Sequence, residues 1–250
     1  MMNFKLIFRR ECWNLWNFIK IRLLFVVIIL TLLIYVLCIN SENYTVSSII
    51  YALLQLHKDS SNPLLENIGW FTIQLLPLLL IGSYVYEDLF LSGPFLLLRI
   101  KSRSLLWLSK ILILFLVILF YYLFIFILIQ ILGYFFHFSM LFESYLTFVD
   151  VLTIFLAFLL GSFTLVLLQS VLSMLVTPIF GIVLSIILLV VNMVLELSII
   201  PGNIVDVFAY SVFNGEQSFT LGVVLQLLWM LLVIFVGQFY YKRVDLLYRN

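Results

Sequence analysis

Charged side chains are scarce in this sequence. Only 10% of its 250 residues are Asp, Glu, Lys or Arg, whereas 65% are hydrophobic, and the mean hydropathy is +1.26. A water-soluble domain carries about 25% charged residues, because its surface must face water. So many apolar side chains cannot all be hidden inside one globule, and the outer surface must therefore face an apolar medium. The composition predicts an integral membrane protein.

Cysteines and catalytic motifs are also few or missing. Cys12 and Cys38 would lie about 39 Å apart on a continuous helix, which excludes a disulfide within one chain. His57 and His137 have no metal-ligand spacing, so we expect no metal site. No lysine follows a glycine, which excludes a P-loop, and the motifs of serine and zinc hydrolases are absent. The net charge of +1 gives no indication of a nucleic-acid partner.

Long apolar runs dominate the rest of the chain. A helix needs about 20 mainly apolar residues to cross the hydrocarbon of a bilayer. The run from Val151 to Ile200 is too long for one helix, and Thr177-Pro178 followed by Gly181 is its natural break. The alternative at this break is a re-entrant hairpin. We predict an all-α protein with six spans, at 21–39, 68–86, 105–131, 149–176, 179–199 and 221–241.

The basic residues predict the orientation of these spans. If the N-terminus is cytoplasmic, every basic residue except Lys58 lies in or beside a cytoplasmic segment. The positive-inside rule therefore places both chain ends in the cytoplasm. Residues 1–20, which include Trp13 and Trp16, are predicted to form an interfacial amphipathic helix that leads into the first span. Its apolar stripe consists of Phe4, Phe8, Cys12, Leu15 and Ile19.

The predicted spans contain few ionisable residues and a number of mildly polar ones. The scarcity of charge argues against ion-coupled transporters and ion channels, which need charged relays or filters. Hydrogen bonding between helices is one role for the polar side chains, and a weakly polar lining for an amphipathic substrate is the other. The candidates for such a lining are Gln74, Gln169, Asn192 and Glu196.

The predicted cytoplasmic loop after span two has the most specific pattern. Two acidic residues end the span, Gly-Pro interrupts the chain, and a short apolar segment then leads into a basic cluster. Basic residues at this position commonly anchor a span in the membrane. An apolar helix between acids and bases also suits the binding of a cytoplasmic partner. The residues concerned are Glu87, Asp88, Gly93, Pro94, Arg99, Lys101 and Arg103.

The N-terminal helix, the six spans and this loop together resemble the ABC-2 type permease subunits of ATP-binding-cassette transporters. Glu87, Gly93, Arg99, Ser102-Arg103 and Lys110 match the loop of that family. The resemblance implies that the loop residues named above form a coupling helix that docks on a separate ATP-binding subunit. ATP and Mg would bind that partner, with no cofactor on this chain. It also implies a second permease copy or a homologous permease, with spans two and five lining the path.

The small size resembles bacterial permeases for peptide export or self-immunity. We therefore expect a location in the bacterial cell membrane and an amphipathic peptide or lipid-like substrate. One alternative is a stand-alone immunity or sensor protein that binds a peptide without an ATPase. The other is an intramembrane enzyme acting on lipid or prenyl chains, which needs ionisable groups converging at one depth of the membrane.

Overall fold

The computed structural model describes residues 4–40, 49–50, 53, 67–92, 103–136, 148–194, 201 and 219–243. Every regular element within these ranges is helical, which confirms the predicted all-α class. A five-residue π-helical turn, Asp88–Ser92, follows α3. The α-helices are α1 (Phe4–Asn40), α2 (Ile68–Ile81), α3 (Tyr84–Glu87), α4 (Arg103–Phe135), α5 (Phe148–Leu175), α6 (Pro178–Val194) and α7 (Phe219–Arg243).

The lengths of these helices suit a multi-pass membrane protein. Five helical stretches of the described chain are long and apolar enough to cross a bilayer: α1, the stretch Ile68–Phe90, α4, α5 and α7. Helix α6 is equally apolar but has 17 described residues. At 1.5 Å per residue it is about 26 Å long, somewhat less than the roughly 30 Å hydrocarbon thickness. The predicted range 179–199 extends beyond the described end of α6.

Helix α1 differs from the predicted pair of an interfacial helix and a separate span. It is one continuous helix of 37 residues, and its sequence contains neither glycine nor proline to interrupt it. Leu15 and Ile19 of the predicted apolar stripe are buried, whereas Phe4 and Cys12 are exposed. The buried stripe starts instead at Ile7. It passes through Glu11, an acidic residue that the apolar pattern did not include.

Pairs of side chains show the directions of the first helices. Helices α1 and α4 run parallel. Glu11 contacts Lys110 near the N-terminal ends of both helices, and Tyr35 packs against Phe136 near their C-terminal ends. Helices α2 and α5 also run parallel to each other. Ser162 donates a hydrogen bond to Gln74, and the Gln169 side chain reaches Leu78 further along both helices.

The remaining contacts complete an alternating order of directions. Helix α2 is antiparallel to α1, because Phe18 packs against Tyr84 just after the C-terminus of α2. At the end of α7, the Lys242 carbonyl accepts a hydrogen bond from Arg103 at the start of α4. The first and last described helices therefore begin and end on the same side. We call this side, formed by residues 4–11, 84–92, 103–110 and 241–243, the charged end of the bundle.

A tight turn joins α5 to α6 at the predicted break. The Phe180 amide donates to the Thr177 hydroxyl over 3.2 Å, which caps α6, and Pro178 occupies the first helical position. A Cβ at Gly181 would lie 2.3 Å from the Ser173 hydroxyl oxygen and 2.8 Å from the Gln169 carbonyl oxygen. Helix α6 therefore folds back closely along α5, and this approach requires a glycine.

Replacing Gly181 by alanine should destabilise the protein. An alanine in a helix is normally about 1 kcal/mol more favourable than glycine. Here the new methyl group overlaps α5, and we expect a net loss of about 1–3 kcal/mol in the free energy of unfolding. Titration of the purified protein with SDS in mixed micelles measures this change.

Two further variants control this experiment. Val183→Ala alters the exposed face of α6 and should have little effect. Adding Ser173→Ala to Gly181→Ala should restore only part of the stability, because the Gln169 carbonyl oxygen still obstructs the methyl group. A Gly181→Ala protein as stable as the wild type would contradict the close packing of α5 and α6.

Candidate functional site

The second predicted span is interrupted shortly before its end. Helix α2 stops at Ile81, and Gly82 has a φ of 46°, in the left-handed region that favours glycine. A side chain at position 82 would also meet the guanidinium of Arg22, 2.8 Å from its Cβ. Helix α3 and the π-helical turn follow. Such turns are rare and are often found at functional sites.

A ring of four alternating charges lies at the charged end. We call Arg10, Glu11, Asp88 and Lys110 the ion cluster. The Lys110 ammonium lies 2.7 Å from Glu11 Oε2 and also contacts Oδ2 of Asp88. The Arg10 guanidinium lies 2.6 Å from Glu11 Oε1 and 3.3 Å from Asp88 Oδ1. Each cation thus contacts both anions, and the four charges cancel.

Two neutral side chains complete the hydrogen bonding of the carboxylates. Asn14 donates to Asp88 Oδ1 over 3.1 Å, and the Tyr84 hydroxyl donates to Glu11 Oε2 over 3.0 Å. The Lys110 and Glu11 side chains are 0% exposed and that of Asp88 is 6% exposed. Charges so deeply buried are stable only when paired and hydrogen-bonded, and all four carboxylate oxygens have a donor.

The ion cluster joins three separate parts of the chain. Arg10 and Glu11 belong to α1, Asp88 opens the π-helical turn, and Lys110 belongs to α4. Helix α7 packs beside it through Trp107, whose indole nitrogen donates to the Ile234 carbonyl over 3.1 Å. The ends of four elements therefore meet around the cluster. No potential metal site of three or more His, Cys, Asp or Glu residues occurs among the described residues.

The predicted coupling residues occupy different environments. Asp88 is buried in the ion cluster. Glu87 is half-buried and accepts a hydrogen bond from Ser83, while Arg103 begins α4 and donates to the Lys242 carbonyl over 2.9 Å. The other predicted coupling residues lie outside the described ranges, namely Gly93, Pro94, Arg99 and Lys101.

The predicted lining residues are buried and bonded to neighbouring elements. Gln74 accepts from Ser162 over 2.5 Å, and the Gln169 amide donates to the Leu78 carbonyl over 3.1 Å. The Asn192 amide donates to the Pro201 carbonyl over 2.9 Å. The Nε2 atom of Gln74, Oε1 of Gln169 and Oδ1 of Asn192 have no hydrogen-bond partner. Glu196 lies outside the described residues.

Sequence reasoning did not identify the partners that hold Asp88. The apolar pattern gives Glu11 no role, and Lys110 is predicted only as a basic residue on the cytoplasmic side and as part of the family loop pattern. A signal for Glu11 exists, because Ile7 and Leu15, four residues away on either side, place it on the buried face of α1. Lys110 lies within the apolar run of the third predicted span. An ionisable residue in such a setting calls for a partner of opposite charge.

Removing the central cation should strongly destabilise the bundle. In Lys110→Met the side-chain length is kept, but Arg10 alone is left to neutralise both Glu11 and Asp88. We expect a loss of about 3–5 kcal/mol in the free energy of unfolding, because an uncompensated buried charge remains. The same mixed-micelle titration measures it.

Two variants test whether charge is the cause. Lys5→Met removes an exposed lysine of α1 and should change the stability little. The triple variant Glu11→Gln, Asp88→Asn, Lys110→Met leaves no unpaired anion of the cluster and should recover a large part of the loss. If Lys110→Met unfolds no more readily than Lys5→Met, the cluster does not stabilise the bundle.

No family model, curated protein or solved structure matches this chain. The arrangement of the charged end is therefore the basis for the functional argument.

Proposed function

We propose that the chain is the membrane-spanning permease subunit of an ATP-driven exporter of the ABC-2 type in a bacterial cell membrane. A separate subunit binds ATP and Mg and hydrolyses the ATP. The alternating helices suit six spans with both ends cytoplasmic, and the distribution of basic residues supports that orientation. The loop pattern between Glu87 and Lys110 supports the family.

One observation carries this proposal: the ion cluster attaches the segment before residues 93–102 to the rest of the bundle. Asp88 lies four residues before the end of the π-helical turn, and it is bonded to Arg10 of α1 and Lys110 of α4. Residue 103, on the other side of the loop, begins α4 itself. Because separating buried ion pairs is costly, displacement of the loop moves α1 and α4 together with α3.

This linkage suits a subunit that receives force from a partner. Residues 93–102 dock on the ATP-binding subunit, and Glu87 and Arg99 flank that contact. Closure of the partner on ATP then displaces the loop, and the cluster transmits the displacement to the spans. A second permease, identical or homologous, completes the translocation path. The Trp-bearing first part of α1 lies at the cytoplasmic interface.

The buried amides of the bundle suit an amphipathic cargo. Gln74 on α2, Gln169 on α5 and Asn192 on α6 each keep one unpaired polar atom. In an apolar bundle such atoms supply a few hydrogen bonds without charge. They suit an amphipathic peptide or a lipid-like molecule better than an ion. Glu196 is a further candidate for this lining.

Loss of the docking contacts should abolish coupling without affecting insertion. We expect Glu87→Ala and Arg99→Ala to weaken binding of the ATP-binding subunit by about 30-fold each, because truncating one partner of a buried interfacial charge pair costs about 2 kcal/mol or more. Stimulation of the ATPase in proteoliposomes and co-purification with a tagged permease measure this. Lys242→Ala, an exposed change at the same end, is the control.

The triple cluster variant tests the linkage separately. It leaves Glu87 and residues 93–102 unchanged, so it should bind the ATP-binding subunit as the wild type does while transport falls. Full transport by a folded triple variant would refute transmission through the cluster. If no ATP-binding subunit co-purifies with the wild type, the exporter proposal fails, and a stand-alone immunity or sensor protein becomes the better explanation.

A further inference from the structure

An apolar groove of about 620 Å³ opens between α1 and α4. Its location differs from that of the ion cluster and of the buried amides, none of which line it. Leu80 of α2 also contributes to its lining. Both walls are mainly apolar, and half of the residues that α4 contributes are aromatic. The walls include Trp16, Leu23 and Val27 of α1, and Val117, Phe120 and Phe124 of α4.

The length of the groove matches one leaflet of a bilayer. Along α1 it extends from Trp16 to Val27, eleven residues or about 16 Å at 1.5 Å per residue. Half of the hydrocarbon thickness is about 15 Å. Trp16 lies toward the charged end, and Val27 lies three residues before the middle of the first predicted span, 21–39. The groove therefore has the length of one acyl chain entering from the leaflet at the charged end.

Exposed basic side chains lie beside and beyond the Trp16 end of the groove, where a headgroup would lie. Lys20 is exposed and lies on the same helical face, four residues after Trp16 and three before Leu23. Further toward the N-terminus this face continues with the exposed residues Lys5, Arg9 and Trp13. Tryptophan and lysine are typical neighbours of lipid headgroups, and a lysine attracts an anionic one.

We propose that this groove is a binding site for one anionic phospholipid of the leaflet at the charged end. An acyl chain lies between α1 and α4, and the phosphate pairs with the Lys20 ammonium. The chemistry favours a lipid over a second copy of the protein, because an apolar protein surface would leave Lys20 without an anion. This inference does not depend on the exporter function.

Native mass spectrometry of the full chain tests this site. The protein is reconstituted in vesicles of equal parts phosphatidylglycerol and phosphatidylcholine, then extracted in mild detergent. We expect one retained phospholipid, with phosphatidylglycerol enriched over its share in the vesicle. Lys20→Gln should lower that enrichment about fivefold, equivalent to about 1 kcal/mol for one lysine at the surface. Lys242→Gln, on α7, which contributes no residue to the lining of the groove, should not lower it.

A second pair of variants tests the groove itself. Val27→Phe fills the cavity and should abolish retention, whereas Val36→Phe adds the same volume outside it, on an exposed face of α1. The binding assay requires no ATPase, so its result is separate from the test of transport. Equal retention by both valine variants, no preference for phosphatidylglycerol, or a lipid-free dimer would each overturn the proposal.

Discussion

The ion pairs of Lys110 determine the arrangement of the charged end. One ammonium holds two carboxylates from distant parts of the chain, and Arg10 closes the ring. Because Glu11 must face Lys110, it turns the buried stripe of α1 away from the one predicted from apolar residues. Because Asp88 must face the same cation, the end of the second span is held beside α4. The other elements at this end are arranged so that each buried charge lies beside an opposite charge, because an unpaired charge is costly in an apolar setting.

A buried polar group in the middle of the bundle also needs a partner, in this case a hydrogen-bond donor. Pro77 lies inside α2 and has no amide hydrogen, so the carbonyl of Ile73, four residues earlier, loses its helical donor. The Tyr121 hydroxyl of α4 donates to that carbonyl over 2.9 Å. A membrane offers no water to replace a missing hydrogen bond, so a neighbouring helix must supply it. The proline thus links α2 to α4 instead of weakening the bundle.

Helix α1 combines two different surfaces along one rod. Its buried stripe contributes Glu11 to the ion cluster, whereas its exposed face carries Lys20 and also Trp16, which forms part of the wall of the apolar groove. A proposed lipid on the outer face and a proposed force path on the inner one therefore share a single rigid element.

Hydropathy and the basic residues alone determined the helical class, the multi-pass character and the break at Pro178, because each depends on side chains close together in sequence. The pattern of the loop after span two also predicted Asp88 as a coupling residue. It could not predict that Asp88 meets Lys110, or that Lys110 meets Glu11 from a position 99 residues away. Such pairings depend on how the helices rotate and pack, and only the tertiary structure decided them. An isolated charge in an apolar sequence indicates that a partner is needed, but its identity follows from which helices become neighbours.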